Sequence, residues 1–317
     1  LAGTGQCVPD GLLFAAFVWG AVPAVIFSLI LELVLGLPIS LVVAPETASF
    51  VGAAVVAPVA EEIFKGAALV LLFVFFAGEM DGLIDGVLYG GLVGFGFAAV
   101  ENILYFGGSL MESGFGQFVA LAFFRAVLFG LNHAMFTGLI GLGLAWGRSA
   151  SSKVVKVGAP LLGLTAGIGA HAIHNASVTL GAEMGWPCLV AVASDWGAVA
   201  MLLGIVLWTS VREQRWIERW LEDEVERGTL SREDYEVVSS YTARMGERME
   251  VLLSGDVERW WALGQTYRMA TELAFNKRRA SRFPDDERAE ARVERLRALV
   301  AGTDPGADGE RDGARDA

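Results

Sequence analysis

Six apolar stretches fill the first 210 residues, near 11–37, 47–77, 82–106, 117–147, 157–180 and 187–210. Each is long enough to carry a helix across a bilayer, which takes about 20 residues. Charge follows the same division: residues 1–210 carry 17 Asp, Glu, Lys and Arg, and residues 211–317 carry 43. The chain therefore reads as all-α, with a polytopic membrane helix bundle of about six spans over 1–210 and a cytoplasmic helical region over 211–300. Residues 301–317, "AGTDPGADGERDGARDA", are too polar and Gly-rich to pack and read as a disordered tail. A net charge of −12 excludes nucleic acid as a partner, because phosphate binding needs a basic face. Cys7 and Cys188 make neither a disulfide nor a metal framework. The opening "LAGTGQC" does not match a lipoprotein cleavage site, since Gln6 precedes the cysteine, and no cleavable signal peptide is expected.

The breaks between spans carry Pro, Gly or charge: "GLPISLVVAPE", "AGEMDG", "GGSLMESGFG", "GRSASSKVVK" and "GAEMGWP". Pro58 is expected to kink the second span. Orientation follows the few basic residues. Arg148, Lys153 and Lys156 lie between spans four and five, and Arg212, Arg215 and Arg219 follow span six. Both stretches belong on the cytoplasmic side. The expected outward loops are then 107–116 and 181–187, and the C-terminus is cytoplasmic in a multi-pass protein of the cell membrane. Beyond 211, "VREQRWIERWLEDEVERG" reads as a helix stopped by Gly228, with further helices from Ser231, over 256–280 and over 286–299.

Ionisable residues inside a span are costly and usually face a bundle interior or a cavity. Those that stand out are Glu61, Glu62 and Lys65 in span two, Glu101 in span three, and Arg125 and His133 in span four. Span five adds His171, His174 and Asn175, and span six adds Asp195. All three histidines of the chain fall within spans. Counted along their helices, Glu61, His133 and His171 reach similar depths near the midplane. Gly82, Gly86, Gly90 and Gly94 form a ladder in span three that admits a close helix neighbour, and Glu101 shares that face. Gly163, Gly167, His171 and Asn175 rise in steps of four along span five, so His171 and Asn175 face the interior together.

Several of these residues have plainer roles to fill. Glu61 and Lys65 are spaced as a self-neutralising i, i+4 pair. Glu101 and Arg125 read as a structural ion pair, His174 as a packed histidine, and Asp195 as a carboxylate solvated near the outer interface. The midplane group has three uses: activating water for hydrolysis, binding a metal, or relaying protons in a transporter.

The segments "EEIFK", "GFGFAAVEN", "RAVLFGLNHAMFTG" and "HAIHN", in that order on successive spans, resemble the PrsW-type intramembrane proteases. That family is similar to the wider superfamily of CAAX-prenyl and bacteriocin-processing proteases. The resemblance covers about residues 50–180. It implies an intramembrane endopeptidase acting on membrane protein substrates, with water activated by an embedded Glu/His site. Glu61 would deprotonate the water with His133 as its partner, Glu62 would orient the site, and His171 and Asn175 would stabilise the oxyanion. Glu61, His133 and His171 could hold zinc with an open fourth position, although H-E-x-x-H is absent. The competing class is a proton-coupled transporter using the same groups as a relay. No internal repeat or inverted pair of broken helices supports it.

Overall fold

A computed structural model describes residues 10–76, 82–282 and 287–302. It is an all-α polytopic membrane bundle with no strand among the described residues. The expected break at "AGEMDG" lies, but for Gly82, outside the described residues. So does the expected disordered tail from residue 303 onward. The chain separates into two compact units, residues 1–206 and 207–317.

In the first unit, α1 (Asp10–Trp19) passes through a π-helical turn, Gly20–Ala24, into α2 (Val25–Val42). The next run comprises α3 (Pro45–Val51), a second π turn at Gly52–Val56, and α4 (Ala57–Phe75). Pro58 does not break this run. Its missing N–H falls just after the π turn, where the hydrogen-bond register has already shifted by one residue. Then follow α5 (Leu83–Ser113), α6 (Phe115–Ala122), a third π turn at Phe123–Leu128, α7 (Asn132–Ser149), α8 (Lys153–Met184) and α9 (Pro187–Glu226).

Among the described residues, five helical stretches are long and apolar enough to cross a membrane: Gly11–Val42, Leu83–Ser113, Phe115–Ser149, Lys153–Met184 and Pro187–Glu226. The run from Pro45 to Phe75 is of similar length, but Glu61, Glu62 and Lys65 in its middle set it apart. Three expectations need correction. The outward loop at 107–116 is helical to Ser113 and turns only at Gly114, whose φ of 82° favours glycine. The fourth span is interrupted at 129–131, immediately before His133. The sixth continues as one helix past residue 210 to Glu226, because no Gly or Pro intervenes before Gly228.

The glycine ladder brings α5 against α7 in register. A Cβ at Gly86 would lie 2.3 Å from the Gly141 carbonyl oxygen, one at Gly90 2.5 Å from that of Thr137, and one at Gly94 2.2 Å from that of His133. On α8, a Cβ at Gly167 would lie 2.7 Å from the Phe136 carbonyl oxygen. Helix α7 is thus gripped on two sides by backbones that only small residues allow so close, and His133 sits within that grip.

The second unit packs the end of α9 with α10 (Arg232–Ser239), α11 (Tyr241–Leu253), α12 (Val257–Arg282) and α13 (Glu287–Gly302). Leu221, Val238, Leu273 and Val300 are fully or almost fully buried in its core. Ser231 caps α10 by accepting from the Asp234 amide, and Ser240 caps α11 by accepting from Ala243. The second cap divides into two helices a stretch that the sequence suggests as one.

Candidate active site

Four polar side chains from three helices meet in the first unit. Glu61 and Glu62 come from α4, His133 from the first turn of α7, and His171 from α8; one ligand-type atom from each lies within 4.8 Å of every other. Lys65, one turn along α4, completes the group. Glu62 and Lys65 are fully buried, Glu61 is 5% exposed and His171 2%. Groups so charged persist away from water only when paired.

The pairing is unequal between the two carboxylates. Glu62 accepts from Lys65 Nζ at 2.8 Å, from the Thr137 hydroxyl at 3.0 Å and from His171 Nδ1 at 3.1 Å. Glu61 accepts from Lys65 alone among the described residues, at 3.0 Å. Glu62 is therefore held on both oxygens, whereas Glu61 keeps acceptor capacity in reserve.

The same network assigns the imidazole tautomers. A lysine ammonium only donates, and Lys65 Nζ lies 3.1 Å from His133 Nδ1. His133 therefore accepts at Nδ1 and carries its proton on Nε2, which donates to Glu101 Oε2 at 2.8 Å. Arg125 holds that carboxylate at 2.6 Å and also donates to the Asn102 side chain at 2.8 Å. His171 donates from Nδ1 to Glu62, which leaves Nε2 as its lone-pair nitrogen. Both lone-pair nitrogens, His133 Nδ1 and His171 Nε2, stand 4.0 Å from Glu61 Oε2. Each imidazole is thus oriented by a carboxylate on its outer nitrogen and presents a basic nitrogen beside Glu61. Rings complete the wall: Phe136 stacks on His171 with centroids 4.6 Å apart, and the Phe97 ring centre is 3.7 Å from Lys65 Nζ.

Asn175, expected on the same stripe as His171, lies outside this group. Its side-chain N–H donates to the Ala53 carbonyl at 2.8 Å, inside the π turn that precedes Glu61. A π turn frees carbonyls from the ordinary helical pattern, and Asn175 satisfies one of them. The expected Glu101–Arg125 pair is present, but it is also the support of His133, a connection that spacing alone does not reveal.

Asp195 is not solvated. It is 1% exposed, and its Oδ2 takes hydrogen bonds from His174 at 2.7 Å and from Asn132 at 3.0 Å. Its place near the end of a span gave no sign of this, because its partners come from two other helices. Thr137 and Asn132 also escaped sequence reasoning. Thr137 stands four residues after His133 on one helix face, which was a readable signal; Asn132 is merely its neighbour. Glu32, the charged residue of the first span, interacts electrostatically with Glu101 and Lys65 and was overlooked.

The donor set of two carboxylates and two imidazoles is of the kind that binds zinc, and the inward lone pairs of His133 and His171 fit that use. Fold and site together define a membrane helix bundle with a buried cluster of paired carboxylates and imidazoles. Residues 8–211 match the model of the PrsW family intramembrane metalloproteases, and the chain belongs to that family. At the family's level it is an intramembrane protease and a peptide-bond hydrolase. No curated protein and no solved structure matches the chain at a significant level.

Proposed function

We propose that the chain is an endopeptidase that cleaves membrane-associated protein substrates, with Glu61 as the base that activates water. The observation that carries this reading is the reserve of acceptor capacity on Glu61, faced at 4.0 Å by His171 Nε2, whose lone pair accepts from no other described residue, and by His133 Nδ1, which accepts from Lys65. A water between Glu61 and His171 Nε2 can donate to both while its own lone pair faces the scissile carbonyl. Glu61 takes a proton as the water oxygen adds to the carbonyl carbon, and then returns it to the departing amine nitrogen. Glu62 fixes Lys65 and His171. The Lys65 ammonium supplies positive charge near the developing oxyanion, and Asn175, through its second N–H, is the further donor in this reading.

Zinc fits the same centre. Glu61, His133 and His171 would hold it, and it would supply Lewis-acid polarisation and a more acidic water. Catalysis is assigned to residues 1–210 and the 211–300 region to the cytoplasm, on the strength of Arg148, Lys153, Lys156, Arg212, Arg215 and Arg219.

The test is cleavage by purified protein in detergent, offered a library of single-span membrane proteins. Glu61→Gln should insert and fold yet yield no product. Near wild-type cleavage by that variant would remove Glu61 from the mechanism.

A further inference from the structure

Lys65 stands where a cation is wanted. An ammonium has three N–H donors, and each meets one acceptor: Glu61 Oε2 at 3.0 Å, Glu62 Oε1 at 2.8 Å and His133 Nδ1 at 3.1 Å. The Phe97 ring covers it, with its centre 3.7 Å from Nζ, a favourable setting for a cation. The side chain is fully buried. Two of its three acceptors, Glu61 Oε2 and His133 Nδ1, are atoms that would ligate a metal at this centre. His133 Nδ1 has a single lone pair, so an ammonium bonded to it and a divalent ion cannot use it together, and at Glu61 Oε2 the two cations would crowd each other.

We propose that Lys65 is the resident cation of this cluster and competes with metal, so that an ion enters only by displacing the ammonium from Glu61 and His133. This rests on the reading of Glu61, His133 and His171 as the catalytic centre, but concerns what occupies it. The neutralising charge is then supplied by the chain itself, four residues from the carboxylate it serves. Metal loading becomes a conformational event of one side chain.

The measurement is zinc affinity, read by competition with a chromophoric chelator on the full-length protein in detergent, and it needs no substrate. Lys65→Met alone strands two buried carboxylates and can fail to fold. The informative variant is therefore Lys65→Met with Glu62→Gln, which removes one cation and one anion together, compared with Glu62→Gln alone. Changes beside metal ligands commonly move affinity by about 10–100-fold. The double variant should bind one zinc per chain at least about tenfold more tightly than Glu62→Gln. Adding His133→Ala should abolish the gain. Equal or weaker binding in the double variant would overturn the proposal, and so would a gain that survives His133→Ala. If the gain is seen but no protein substrate is ever cleaved, the protease reading fails and this one stands. If Glu61-dependent cleavage is seen without the gain, this one fails alone.

Discussion

Among the described residues each unit holds a buried ion cluster, and the two are built to opposite ends. In the second unit Glu224 is fully buried and is surrounded by cations. Lys277 reaches it at 2.5 Å, and the Arg297 guanidinium bonds both of its oxygens at 2.8 to 3.1 Å. Lys277 also pairs with Asp223. These residues tie α9, α12 and α13 together, and every charge has a strong, permanent partner. In the first unit, Glu62 is satisfied in the same manner, but Glu61 is not, and the lone pair of His171 Nε2 stands 4.0 Å from it. A completed network holds helices together. An unfinished one, with an imidazole nitrogen free to accept a proton, is equipped for chemistry. Burial and charge are common to both; the spare acceptors separate them.

The sharpest way to break this comparison is to make the same isosteric change in each cluster. Glu61→Gln should lower cleavage by about 10²–10⁴-fold, the usual contribution of a general base, with a smaller fall in melting temperature than Glu224→Gln, because Lys65 keeps Glu62 as its ion-pair partner. Glu224→Gln should do the reverse. It leaves Lys277 and Arg297 without their buried carboxylate, a loss on the order of 3–5 kcal/mol for a broken buried pair, while activity per folded molecule stays the same. The pair is read by cleavage assay and thermal unfolding on the same preparations. If Glu224→Gln silences cleavage in protein that remains folded, the second cluster is not merely structural.

A smaller effect is expected at Glu101, which bridges the two kinds of role. It is paired with Arg125 as a structural carboxylate would be, and it also fixes the Nε2–H of His133. Partners of this kind are worth about 10–100-fold when removed. Glu101→Gln should therefore lower kcat by that factor with KM little changed. An unchanged kcat would reduce Glu101 to an ion-pair partner.

How much of this was legible in the sequence depends on how far each feature reaches along the chain. The helices and the cost of Glu61, Glu62, Lys65 and three histidines inside them are local properties, and they are readable. The Gly86, Gly90 and Gly94 ladder told which face of α5 is covered, although not that the backbone beneath it is that of Gly141, Thr137 and His133. Which carboxylate is saturated was not readable, because Glu61 and Glu62 are adjacent, and only rotamers and the positions of α7 and α8 distinguish them. The interruption at 129–131 was hidden for a similar reason. "LFGLN" contains one glycine in an apolar run, a signal too weak to end a helix without tertiary support. Asp195 was misread because depth along a span says nothing about partners on neighbouring helices.

The least effect is expected where a third polar group, apart from Glu61, joins α7, α8 and α9. His174 and Asn132 both bond Asp195 Oδ2, and Phe129, at the interruption, sets its ring against His174 with centroids 4.9 Å apart. The group thus braces the start of α7, one residue before His133. It carries no spare acceptor directed at the catalytic cluster, so its contribution is to position and stability. His174→Ala leaves Asp195 with Asn132 and Ser194 as neighbours. The cost should be about 1–3 kcal/mol, that of a buried polar group losing a partner. Cleavage should fall by less than about tenfold, below the 10²–10³-fold typical of a lost transition-state donor. Restoring a hydrogen-bonding side chain, as in His174→Gln, should recover most of the stability. The comparison that decides the matter is His174→Ala against His171→Ala in one assay. Equal severity would mean that the chemistry extends to His174 and Asp195, and that the line drawn here between a brace and a catalytic centre is in the wrong place.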